Sequence, residues 1–185
     1  MKTLVLMLTI LLVGCSSTPV DTSFYLLRQP GKMDTKELNA SPDFALGKVT
    51  VASYIDQPGL VLEVSPGLVR PAQHHLWAEP MHQSVRAFLQ GEISSNLGAS
   101  LFPESFSPAP TLVSIRIDQL HGTYDGEAVL LAYWWMIRDG EILSSYQYSQ
   151  SKALEQDGYA ALADAQEALL SGLAVSIADT LKSRL

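Results

Sequence analysis

Glu127-Ala-Val-Leu-Leu-Ala-Tyr-Trp-Trp-Met-Ile-Arg138-Asp139-Gly140-Glu141-Ile142-Leu-Ser-Ser-Tyr146-Gln-Tyr148-Ser-Gln150 is the stretch that decides the fold. Asp139-Gly140 is the strongest two-residue hairpin signal in the chain, because both positions tolerate the positive φ that such a turn needs. Residues 127–138 are apolar on both faces and rich in β-branched and aromatic side chains, so they read as a central strand. The return strand, residues 141–150, puts Ile142, Tyr146 and Tyr148 on one face. Just upstream, residues 111–120 alternate cleanly, with Val113, Ile115 and Ile117 inward and Ser114, Arg116 and Asp118 outward. Three consecutive strands on short connections predict an antiparallel meander.

Helical periodicity flanks the meander. Residues 79–97 place Met81, Val85, Phe88, Leu89, Ile93 and Leu97 at helical spacing, with Pro80 suited to the first turn and Gly98 to the close. Downstream, Asp157-Gly158 opens a helix to about Leu185, with Tyr159, Leu162, Leu169, Leu173, Ile177 and Leu181 as one stripe. Upstream, residues 23–28 read as a first strand and residues 29–44, with Pro30, Gly31 and Pro42, as a loop. Residues 47–55 alternate as a strand, residues 56–59 (Asp-Gln-Pro-Gly) read as a turn, and residues 60–64 return, which predicts a second hairpin. Residues 69–71 suggest a short strand confined to an edge by Pro71. The order β-β-β-α-β-β-β-α predicts an α+β fold, a mainly antiparallel sheet with two long helices packed on one face.

Lys2 followed by the apolar run of residues 3–13 is a secretory leader, too short to span a bilayer. It ends in Leu12-Val13-Gly14-Cys15, which resembles the lipobox of bacterial lipoproteins: a Leu, a tolerant position, a small residue, then the cysteine whose sulfur takes the lipid. Cys15 is the single cysteine of the chain, so its acylation leaves no internal disulfide. This divides the chain into a signal peptide (residues 1–14), a lipidated tether (residues 15–22) and one domain (residues 23–185). Diacylglyceryl and N-acyl chains on Cys15 would anchor the protein, since stable membrane attachment takes more than one chain. Ser16 and Ser17, with no Asp after the cysteine, resemble the sorting pattern of outer-membrane lipoproteins. The tether of seven residues after Cys15 reaches about 25 Å at most, which keeps the domain close to the membrane.

The formal net charge is −7 and becomes one unit more negative when Lys2 leaves with the leader. That excludes nucleic acid as a partner and electrostatic attachment to anionic lipid. No Gly-x-Ser-x-Gly, phosphate-binding glycine loop, His-Glu-x-x-His or free cysteine nucleophile is present, and no catalytic residue is assigned. The densest candidate chemistry is His74-His75-Leu76-Trp77-Ala78-Glu79-Pro80-Met81-His82. Glu79 and His82 at i, i+3 suit a metal, but a second carboxylate–histidine pair is missing and Pro80 interrupts the run, so no metal or other cofactor is assigned. His75 and Trp77 are expected to pack where a loop enters the helix. Trp134 and Trp135 fall on opposite strand faces. One is core; the other needs cover from the loop of residues 29–44, a neighbouring subunit or a ligand. Tyr54, Gln57 and Pro58 at a hairpin tip are either turn chemistry or contact residues.

The lipobox, the Phe24-Tyr25-Leu26-Leu27 strand, Tyr54-x-x-Gln57-Pro58-Gly59-Leu60-Val61 and His75-Leu76-Trp77-Ala78-Glu79-Pro80-Met81 occur in this order over essentially the whole mature chain. Together they resemble the ABC-type transport auxiliary lipoprotein family, of the PqiC/YmbA type. The resemblance implies a non-enzymatic lipoprotein on the periplasmic face of the outer membrane, partnered with an MCE-domain protein and inner-membrane transport components. It implies movement of lipid or other hydrophobic molecules between the membranes, support of envelope integrity, and ring-like homo-oligomers. Tyr54, Gln57, Pro58, His75, Trp77, Glu79, Trp134 and Trp135 are the candidate partner-binding residues. The rival reading is a lipid or small-ligand carrier with its own apolar pocket.

Overall fold

The computed structural model describes residues 20–28 and 39–185. Cys15, most of the tether and the greater part of the loop of residues 29–44 lie outside them. The elements run β1 (Ser23–Tyr25), β2 (Phe44–Val51), β3 (Gly59–Ser65), β4 (Leu68–Trp77), α1 (Met81–Leu97), a 3₁₀ turn (Glu104–Phe106), β5 (Thr111–Gly122), β6 (Glu127–Arg138), β7 (Glu141–Ala153) and α2 (Tyr159–Lys182). The strand–helix order follows the sequence pattern, with the short strand at Val69 grown into the ten-residue β4.

Period-two burial organises the sheet. On β5, Val113, Ile115 and Ile117 are fully buried, and on β6 Ala128, Leu130, Ala132, Trp134 and Met136 are buried in alternation with half-exposed neighbours. The buried set faces both helices. α1 contributes Met81, Val85, Phe88, Leu89 and Ile93; α2 contributes Leu162, Leu169, Leu170, Leu173, Ile177 and Leu181. α2 is long and apolar enough to cross a membrane, but its apolar stripe is spent in this core. The helices therefore share one face of the sheet.

The sheet is mixed. Its strand order is β1-β4-β3-β5-β6-β7, with β2 also paired to β5. The pairs β3·β4, β5·β6 and β6·β7 are antiparallel; β1·β4, β2·β5 and β3·β5 are parallel. The hairpin expected at residues 56–59 does not form. β2 pairs with Thr111–Ile117 of β5, while β3 meets β5 only at Leu62 opposite Gly122. Both strands run along the same edge of β5 in the same direction, so residues 52–58 are a connecting excursion. Gly59 does not take the positive φ expected of it in a turn; its Cβ would lie 2.3 Å from the Ala72 carbonyl oxygen, and close approach to β4 is what excludes a side chain.

The β6–β7 hairpin is as expected, with Asp139 at φ 51° and Gly140 at φ 82°. One difference follows from a bulge. Met136 pairs with Ser144 but Ile137 with Ile142, so β7 carries an extra residue there. That residue turns Ile142 to the face opposite Tyr146 and Tyr148, and Ile142 is 62% exposed. Bulges switch the face that follows because side chains alternate strictly along a strand.

Candidate functional site

Residues 52–60 and residues 75–82, far apart in sequence, meet at one corner. A turn closes with the Ile55 N–H donating to the Ala52 carbonyl at 2.9 Å, and the Gln57 side-chain amide donates to the Tyr54 carbonyl. The Trp77 N–H donates to the Pro58 carbonyl at 2.7 Å. Asp56 Oδ1 accepts both the His82 backbone N–H (3.1 Å) and a bond from its ring Nδ1 (2.9 Å). Pro80 at the N-cap has no side-chain oxygen, so Asp56 supplies from a distance the acceptor that a capping side chain would give α1. Tyr54, Gln57 and Pro58 thus belong to a crossing loop and not to a hairpin tip.

His75 and Trp77 lie on β4, not in a loop. His75 Nδ1 and the Tyr25 hydroxyl are 2.9 Å apart, and the His75 ring stacks on Tyr159 at 4.4 Å between centroids. Trp77 is buried and meets Tyr25 edge-on. This aromatic knot ties the edge strand β1 and the start of α2 to β4. Glu79 pairs with Arg28 and accepts from the Ser84 hydroxyl. His74 faces the other way, towards Thr22, and His82 is taken by Asp56. Among the described residues no three His, Cys, Asp or Glu groups could hold a metal ion.

Trp134 and Trp135 are elsewhere and on opposite faces, as their adjacency requires. Trp134 is 1% exposed and stacks on Tyr146 at 4.1 Å in the helix-side core. Trp135 shares the helix-free face with Val129, Leu131, Tyr133 and Ile137, all half-buried. Polar side chains border this apolar stripe: Ser145, Gln147 and Ser149 across β7, Ser114, Arg116 and Gln119 across β5. The Arg116 guanidinium sits over the Tyr133 ring at 5.3 Å. The described end of the loop expected to cover this face goes elsewhere. Ser41 bonds to Ser100 beyond α1, and Phe44 enters the core.

His121 is a residue that sequence reasoning passed over. It follows the irregularity between Ile117 and Gln119 in the β5–β6 register, which turns it onto the helix-free face at only 8% exposure. Its Nδ1 lies 2.9 Å from the Tyr54 hydroxyl. Burial pushes the His121 imidazole below its ordinary value, against the opposing pull of the Glu63 carboxylate. Burial raises the Tyr54 phenol; a backbone hydrogen bond from Leu120 opposes this, and Asp118 and Glu63 add to it. Both groups are therefore neutral near pH 7. No signal short of the bulge itself marks His121 in the sequence.

These features define an α+β scaffold with a half-buried apolar stripe on its helix-free face. The chain belongs to the family described as ABC-type transport auxiliary lipoprotein component, which its residues 25–178 match. That family is a class of membrane-associated lipoprotein and not a class of enzyme. The chain is 26% identical over 184 residues to the intermembrane transport lipoprotein PqiC of Escherichia coli, covering 98% of this chain and 97% of that protein. Among solved structures, an uncharacterized protein shares the fold at a TM-score of 0.75 and 20% identity, over 88% of this chain and 99% of its own. A Xanthomonas campestris protein does so at 0.65 and 15%, over 88% of this chain and all (100%) of its own.

Proposed function

We propose that this protein is a periplasmic lipoprotein, anchored in the outer membrane through acylated Cys15 after loss of residues 1–14. There it serves as the docking subunit of an MCE-type system that moves lipid or other hydrophobic molecules between the membranes and supports envelope integrity. Family membership and the similarity to PqiC, an intermembrane transport lipoprotein, support the transport setting. The observation that carries docking is the helix-free stripe Val129, Leu131, Tyr133, Trp135 and Ile137, a continuous apolar row left half-exposed on a stiff central strand. Such rows rimmed by polar groups mark interaction surfaces. The occupant is an MCE-domain protein linked to the inner-membrane components, and the open edges β1 and β7 leave room for a homo-oligomeric ring. The carrier alternative finds less support, because the space around Trp134 is filled by Tyr146 and the helices.

A photo-crosslinking amino acid at Leu131, in the lipidated protein within native envelopes, tests the reading. The expected adduct is to an MCE-domain protein, lost on Trp135→Glu. Adducts only to lipid would transfer the case to the carrier, and adducts only between copies would assign the stripe to the ring.

A further inference from the structure

At one end of the apolar stripe, beyond Val129, the helix-free face opens into a groove of about 410 Å³ lined by residues including Tyr54, Glu63, Val69, His121, Thr123 and Val129. Among the described residues, no Lys or Arg lines it. Of its two carboxylates, Asp118 is already held by both ends of the Arg116 guanidinium at 2.8 and 2.9 Å. Among the described residues Glu63 has no such cation: its Oε1 accepts the Gly67 N–H at 2.7 Å. Glu63, His121 and Tyr54 line the same groove, and the Glu63 charge acts on both of the others through space. His121, almost fully buried and neutral, does not compensate that charge. An uncompensated carboxylate against partly apolar walls attracts a cation more strongly than the same carboxylate in open water.

We propose that this groove receives an arginine or lysine side chain from the protein segment that lies on the Val129–Ile137 stripe. The inference rests on the docking reading of that stripe and adds the chemistry its partner must carry. Val129 belongs to both surfaces, so a segment following the stripe brings a neighbouring side chain directly over Glu63. Val69 and Val129 suit the aliphatic stem of such a side chain, while Glu63 takes its charged head. An anionic phospholipid headgroup such as that of phosphatidylglycerol, which carries no cation of its own, fits poorly, since its phosphate would face Glu63.

The test uses the full mature lipidated chain, labelled with ¹³C-histidine in neutral-detergent micelles, with the His121 signal assigned through His121→Asn. The probes are acetyl-Leu-Arg-Leu-amide and acetyl-Leu-Glu-Leu-amide. The arginine peptide should shift His121 saturably, and binding should weaken about fivefold in Glu63→Gln, as for loss of one partly exposed ion pair. The glutamate peptide should leave it unmoved. Unchanged signals from His74, His75 and His82 in Glu63→Gln keep folding out of the comparison. Equal response to both peptides, no response to either, or an undiminished response in Glu63→Gln would overturn the inference, as would a His121 shift produced by phosphatidylglycerol vesicles alone. The docking reading fails separately, when the Leu131 crosslink finds no protein while the arginine peptide still titrates His121.

Discussion

The Pro58 carbonyl accepts the backbone N–H of Trp77 at 2.7 Å, so two of the four segments that carry the family resemblance meet as one structural unit. Residues 54–61 are held by residues 75–82, through the Pro58–Trp77 bond and the bonds from His82 to Asp56 at the start of α1. The docking proposed above uses the helix-free stripe from Val129 to Ile137.

Asp56 is the removable part of that corner. Its Oδ1 is the acceptor for the His82 N–H in the first turn of α1. Asp56→Ala should lower unfolding free energy by about 1 kcal/mol, the usual effect of losing a helix-capping acceptor. Asp56→Asn, which keeps an oxygen in place, should lose less. Urea titrations followed by circular dichroism read both, and equal losses would show that charge, not the hydrogen bond, is what matters.

Gly59→Ala should be worse, although the change is one methyl group. The new Cβ would stand 2.3 Å from the backbone oxygen of Ala72, and backbone cannot rotate away as a side-chain end can. A loss of about 1–3 kcal/mol is expected. A variant as stable as the parent would mean that β3 and β4 separate freely at this point.

The adjacent tryptophans should part company. Trp134→Ala empties a fully buried site and should cost about 3–5 kcal/mol. Trp135→Ala, on the half-exposed face, should cost less than half as much while reducing recovery of the crosslinked partner. Thermal denaturation and crosslinking yield, measured on both variants, separate the roles.

Acid should weaken the fold through His121. Its folded-state value lies below the ordinary 6.5, so the unfolded chain takes up a proton that the folded chain refuses. Stability is unaffected well above 6.5 and falls as pH drops through that value, levelling only once the folded imidazole also protonates. The urea midpoint should therefore fall more between pH 7.5 and 5.5 in the parent than in His121→Asn. Identical slopes would remove His121 from the account.

Cys15→Ala should abolish outer-membrane localisation with circular dichroism and thermal stability unchanged. Membrane fractionation is the measurement; a variant still in the outer membrane would refute anchoring at Cys15.

The sequence by itself determined what depends on neighbours along the chain. Asp139-Gly140 turns where two positive φ angles are needed, residues 127–138 form a strand with Trp134 and Trp135 on opposite faces, and the α2 stripe from Leu162 to Leu181 is buried as its spacing demands. Each of those signals is complete within a few residues. Only the tertiary structure decided that β2 and β3 both pair parallel to β5 instead of with each other, because the competing partner begins some fifty residues later and no local pattern weighs one pairing against another. For the same reason the bulges in β5 and β7, which bring His121 beside Tyr54 and turn Ile142 outward, are invisible to periodicity: inserting one residue reverses every face that follows, and its energy is settled by the strand opposite. The packing residues of the candidate site were thus readable as types, whereas the open face and the groove beside Glu63 exist only once the strands have chosen their neighbours.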